Sequence, residues 1–248
     1  MKKFLLVLIL APGMLSVATM AQDKNKTTAA PPPAVDTAKP KKPAGITDKV
    51  KASKKVDGMF TVYQDTATGG LQLYVKKDQL GKEYIYQSFS INGPTSLFLN
   101  QSMHRSTFVF KVQKSFDKLE FVRVNTNFWY DPNNAVSKTS NVDKPEAVIV
   151  VEKIGSQDED GYLVSADALF MGDKLDPVKP VFAPGPFTAQ IWNLGNFNPT
   201  KSRYHEIRSF PNNTDIVVDL AYDNPAPLVG GGTSITDNRY VPVRMQHS

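Results

Sequence analysis

The sequence predicts a mainly β protein, with antiparallel sheets packed as a sandwich or curled toward a barrel, long Pro-rich loops and little helix. Three observations carry that expectation. From Gly58 onward, short alternating apolar runs are separated by Gly, Pro, Asn and Asp clusters, which is the pattern of half-buried strands and tight turns. The runs are rich in aromatic and β-branched residues, which suit a pleated surface. With no cysteine in 248 residues and 41% hydrophobic content, stability must come from an ordinary core rather than disulfides or thiolate metal sites.

The N-terminus has a different composition. Lys2 and Lys3 precede the apolar run Phe4 to Leu10, and small residues lead to Ala21 before Gln22, so residues 1–21 are expected to be a signal peptide. Pro12 and Gly13 interrupt the apolar stretch, which falls short of the roughly 20 residues that span a bilayer. An exported product follows, whether periplasmic, outer-membrane-associated or extracellular, with no transmembrane segment after cleavage. Residues 22–56 are rich in Lys, Thr, Ala and Pro and poor in large apolar side chains, so they read as a disordered linker. That linker carries nine lysines against three aspartates, whereas residues 57–248 have 18 basic and 21 acidic residues, net −3. A nucleic-acid partner needs a basic face on the fold itself, so this class is excluded.

The β-rich region, 57–248, divides into elements in order. Met59 to Gln64 and Leu71 to Val75 flank a loop with Gly69-Gly70, a hairpin whose glycines accept positive φ. Tyr84 to Phe89 makes a third strand on aromatic content, and Phe108 to Val112 alternates with period two. A turn at Ser115-Phe116-Asp117-Lys118 leads to Leu119–Val124 and then Phe128-Trp129-Tyr130. Val148-Ile149-Val150-Val151 fits a strand buried on both faces. Tyr162 to Ala166 is a strand, and Asp167 is expected to cap a helical turn. Pro177, Pro180, Pro184 and Pro186 mark a long irregular excursion, and Gly230-Gly231-Gly232 a loop. Glu206–Phe210, Ile216–Tyr222 and Tyr240–His247 close the series, the last running to Ser248 as though cut within an element.

No catalytic constellation is legible. His104, His205 and His247 lie far apart, without H-E-x-x-H spacing, and read as exposed or edge histidines rather than zinc ligands. G-x-S-x-G is absent. The cluster Asp158-Glu159-Asp160-Gly161 lacks the spaced carboxylates of a calcium loop. No catalytic residue, metal ligand or cofactor is therefore expected in this chain. The one dense aromatic patch, Phe128, Trp129 and Tyr130, is the candidate binding site; the alternative is that Phe128 and Tyr130 belong to the core.

Asp57-Gly58-Met59-Phe60-Thr61-Val62-Tyr63, Leu73-Tyr74-Val75 and Gln79-Leu80-Gly81-Lys82-Glu83-Tyr84 resemble the start of large secreted zinc-dependent metalloproteases of Gram-negative bacteria. The similarity continues through Phe187 to Lys201, Phe210-Pro211-Asn212-Asn213-Thr214-Asp215 and Asn224-Pro225-Ala226-Pro227. It ends on Thr236-Asp237-Asn238-Arg239-Tyr240 and Val243-Arg244-Met245-Gln246-His247-Ser248, so it covers most of 57–248. The resemblance implies a noncatalytic N-terminal region, with zinc belonging only to a peptidase domain that would follow, in the same or a split gene product. On that reading the peptidase domain is the partner, the chain is truncated, and the last strand is an unpaired edge. The alternative is a stand-alone periplasmic or secreted module binding glycan or peptide, expected to pair Ser248 internally.

Overall fold

Alternating apolar residues leave each strand with one face to bury, and the chain meets that demand by packing two antiparallel sheets on each other. A computed structural model describes residues 45–95, 99–131, 133–135, 137–140, 144–178, 194–227 and 235–248. The expected signal peptide, the expected linker up to residue 44, most of the Pro-rich excursion and the expected Gly230–Gly232 loop lie outside the described residues.

In chain order the first strands are β1 (Ser53–Val56), β2 (Thr61–Asp65), β3 (Leu71–Lys76), β4 (Glu83–Asn92), β5 (Met103–Ser115), β6 (Lys118–Arg123) and β7 (Ala147–Lys153). They are followed by β8 (Ser156–Gln157), β9 (Gly161–Ser165), β10 (Asn196–Phe197), β11 (Arg203–Phe210), β12 (Asn213–Asp223) and β13 (Tyr240–His247). Among the described residues helix is confined to short turns such as α1 (Ile46–Lys49), α2 (Ser137–Ser140) and α3 (Asp167–Phe170). Among the described residues, 51% strand against 10% helix makes the fold mainly β, as the alternation predicts.

The smaller sheet has the order β1-β2-β3-β9-β8. Its hairpin β2–β3 forms where expected: Asp65 Oδ1 accepts from Ala67 N and Thr68 N, and Gly69 takes φ of 76°. Gly161 opens β9 because a Cβ there would stand 2.6 Å from the Tyr74 ring and the Val75 carbonyl. The larger sheet runs β10-β12-β13-β4-β5-β6-β7, with β11 also on β12, and curls into a half-barrel. Its concave face, with Tyr222, Leu220, Met245, Val243, Val112 and Phe121, packs against Val62, Leu73 and Val75 of the smaller sheet in one core.

The outer face holds a charged row. Asp219 of β12 sits in register between Arg203 of β11 and Arg244 of β13, and Arg244 donates to both its carboxylate oxygens at 2.6 and 3.1 Å. Burial opposes ionisation of Asp219, yet the Arg244 hydrogen bonds hold its carboxyl below the usual range.

Four expectations are corrected. The linker boundary at 56 falls inside ordered structure, because Ile46 is buried and Ser53–Val56 pairs with Val62–Asp65 as β1; alternate residues of Ser53-Lys54-Lys55-Val56 suffice to line an edge strand. Val148–Val151 is not buried on both faces: β7 is an edge strand, and Val148 and Val151 are exposed while Val150 is buried. Asp167 is not a helix cap; Ala166 holds that position, and Asp167 Oδ1 instead accepts from Leu71 N and Tyr204 Oη. The last strand is no edge either. β13 pairs β12 on one side and β4 on the other, and Ser248 exchanges two backbone hydrogen bonds with Gln87, each 2.8 Å.

Candidate functional site

Inside the half-barrel a cavity of about 430 Å³ opens between the two sheets. Its walls come from both layers: Leu73 of β3 in the smaller sheet, and Tyr84 of β4, Phe110 of β5, Phe121 of β6 and His247 of β13 in the larger, with Leu169 of α3. Alternation along each strand puts these side chains on the concave face, so a largely apolar chamber follows from period-two patterning closed over by curvature. At one side the chamber reaches Glu83–Tyr86, Asn212–Thr214 and Ser248.

His247 is the polar group of this chamber. It is 2% exposed, and burial pushes its imidazole pKa down to about 4, so the ring is neutral near pH 7. Tyr86 Oη lies 2.7 Å from its Nδ1. If the phenol donates this bond, the ring proton resides on Nε2, which is buried and has no hydrogen-bond partner. A buried donor left unmatched is destabilising by about 1–3 kcal/mol. The expectation of three exposed or edge histidines therefore fails for His247, which is buried on the interior strand β13.

Beside it, the segment 167–178 brings three aspartates under the large sheet. Tyr204 Oη donates to Asp167, Tyr222 Oη donates to Asp173 at 2.8 Å, and Asp176 accepts from Ser88 Oγ and from Arg105 Nε, both at 2.8 Å. Burial first, then these carboxylates, pushes the Tyr204 and Tyr222 phenols upward. The Arg105–Asp176 pair is nearly buried and fully engaged, since Arg105 Nη2 also donates to the Pro177 carbonyl. These bonds anchor the segment and offer no nucleophile with an adjacent base.

The aromatic patch lies elsewhere. Phe128, Trp129 and Tyr130 follow β6 in a loop rather than a strand, and neither Phe128 nor Tyr130 enters the core. Lys144 Nζ sits 4.0 Å from the Phe128 ring centroid and 4.1 Å from that of Tyr130, so these two rings clasp a cation while Trp129 stands 82% exposed. The three residues are thus adjacent but not one flat platform.

His104 Nε2 lies 2.7 Å from Thr107 Oγ1, and His205, at the bulge of β11, lies 3.6 Å from Asp219. Among the described residues no three His, Cys, Asp or Glu side chains cluster as metal ligands. Asp158 Oδ1 accepts from Asp160 N, Gly161 N and Tyr74 Oη, so that carboxylate shapes its own turn. Among the described residues no helix is long and apolar enough to cross a membrane.

Sequence reasoning missed the chamber. Its signal was present as aromatic residues at alternate positions of β4 and β5, but which faces enclose a void depends on sheet curvature. No family model, curated protein or solved structure matches this chain.

Proposed function

We propose that this chain is the noncatalytic N-terminal β module of an exported zinc-dependent metalloprotease, and that it packs against or regulates the peptidase domain. The resemblance along 57–248 supports the family, and one structural observation supports a docking role. Along Glu83–Tyr86, β4 pairs with β5, Ile85 is exposed, and the apolar chamber lies behind this stretch. A protein surface of this kind invites another polypeptide. Coexpression with a peptidase domain of that family is expected to yield a complex that survives gel filtration. A monodisperse chain that ignores the peptidase refutes the reading.

A second reading, a stand-alone periplasmic or secreted module for glycan or peptide, is favoured by the internal pairing of Ser248 with Gln87. It predicts that the isolated chain binds a ligand without any peptidase domain. Trp129, exposed in the aromatic loop, is its candidate contact together with Phe128 and Tyr130.

A further inference from the structure

The arginines of this fold are paired with carboxylates in every case but one, and the exception stands in a cleft. All six arginines lie among the described residues. Five are paired: Arg105 with Asp176, Arg203 and Arg244 with Asp219, Arg208 with Asp215, and Arg239 with Asp237. Arg123, at the end of β6, has no carboxylate partner among the described residues and instead sets its guanidinium carbon 4.9 Å from the centroid of the buried Phe108 ring. Phe108 is itself held by Tyr86, with 4.5 Å between the ring centroids. Stacking orients the planar fork and leaves its N–H donors free. Lys144 repeats the arrangement: it too has no carboxylate partner among the described residues, and the Phe128 and Tyr130 rings hold its ammonium.

The two cations line adjoining clefts. The first, of about 290 Å³, has Thr107, Phe108, Arg123, Asn125, Thr126 and Asn127 on its walls, and none of its described lining residues is acidic. The second, of about 280 Å³, contains Phe128, Tyr130 and Lys144, together with Lys111 and Glu146, which neutralise each other at 2.5 Å. Asn125 and Pro145 line both clefts, so one wall divides them, and Asn125 Oδ1 fixes that wall by accepting from Asn127 N. We infer that this pair of clefts binds an acidic glycan, a chain of uronic-acid units whose carboxylates meet Arg123 and Lys144. A carboxylate offers two coplanar oxygens to the guanidinium fork. The threonine hydroxyls and asparagine amides both donate and accept hydrogen bonds, as sugar hydroxyls do. Phe128, half exposed, presents apolar area to the C–H face of a sugar ring. Adjoining clefts with one uncompensated cation each suit successive units of one chain better than a single small ion. The anion preference rests on the geometry, whereas the sugar class rests on the second reading above, a glycan-binding module.

The test titrates the full chain with a short oligogalacturonate and with its fully methyl-esterified twin, which keeps the sugar rings and removes the charge. The acid is expected to bind at least about tenfold more tightly, a margin of roughly 1.4 kcal/mol, and to bind more weakly as salt is raised. Arg123→Gln is expected to remove about that tenfold margin, and Lys144→Gln a smaller part of it, with little change for the ester. Thermal unfolding checks that both variants fold. The comparison of acid with ester on the unsubstituted chain decides the matter even if one does not. Equal binding of acid and ester, no binding of either, or acid binding unchanged in both folded variants overturns the acidic site. Ester binding that is lost in Trp129→Ala but not in Arg123→Gln overturns the acidic site and leaves the glycan reading. A polyaspartate peptide that binds as tightly as the acid, and loses as much in Arg123→Gln, overturns the sugar class and leaves only an anion site.

Discussion

The two halves of β4 carry the same kind of sequence and end in different states. Ser88–Asn92 lies between β5 and β13, with Ser88 and Ser90 buried and their hydroxyls bonded to Asp176 and to the Asn100 carbonyl. Glu83–Tyr86 pairs with β5, exposes Ile85 and has the chamber behind it. The difference teaches that strand identity is local, whereas satisfaction of a strand's second edge depends on another segment far away in sequence. One half is finished structure. The other borders the chamber.

The largest expected effect lies in the finished half. Met245 is fully buried on β13, so Met245→Ala should lower unfolding free energy by about 2–5 kcal/mol, whereas Ile85→Ala in the open half should change it by under about 0.5 kcal/mol. Urea denaturation of both variants checks this, and equal losses would erase the contrast between the halves.

His247 sharpens the contrast through pH. Its pKa falls from 6.5 to about 4 on folding, so between those values the unfolded chain binds a proton that the folded chain excludes. This contribution is intact above pH 6.5 and is lost as pH falls toward 4; it should amount to about 2 kcal/mol less stability at pH 5 than at pH 7. Urea midpoints at the two pH values, with His247→Asn as the reference, isolate it. An unchanged pH slope in that variant would mean that the imidazole is not held neutral by burial.

Smaller changes are expected at the segment 167–178. Tyr222→Phe removes the hydrogen bond to Asp173 and should lower stability by about 1 kcal/mol, measured by thermal or urea unfolding, without affecting exchange at Ile85. A change there would show that this anchor also shapes the open half. Smallest of all, Trp129→Ala should leave stability within about 0.5 kcal/mol, because the indole is exposed; weakened ligand binding in the same variant would establish the aromatic loop as a contact. Lowered stability with unchanged binding would instead make Trp129 structural.

The element series was legible because alternation and turn chemistry are local. Asp65 with Gly69, and the Phe108–Val112 period, specify a hairpin and a strand wherever they are packed. Ser53–Val56 escaped notice because two lysines dominate a four-residue edge strand whose partner, β2, supplies the pairing. Val148–Val151 misled because a continuous apolar run does not say whether a second sheet covers its outer side. Phe128 and Tyr130 misled in the other direction, since aromatic rings favour burial in general but here hold Lys144 outside the core.

The sequence by itself determined most of the strands, the inward faces of those that alternate and the absence of disulfide support, since each follows from residue chemistry at short spacing. Tertiary structure alone decided that β13 is interior, that His247 is buried beside Tyr86, and that a chamber lies behind Glu83–Tyr86. The physical reason is that backbone edges and enclosed volume are properties of pairs of distant segments: β13 reaches β4 across some 150 intervening residues, and no local pattern encodes which side of a strand will find a neighbour.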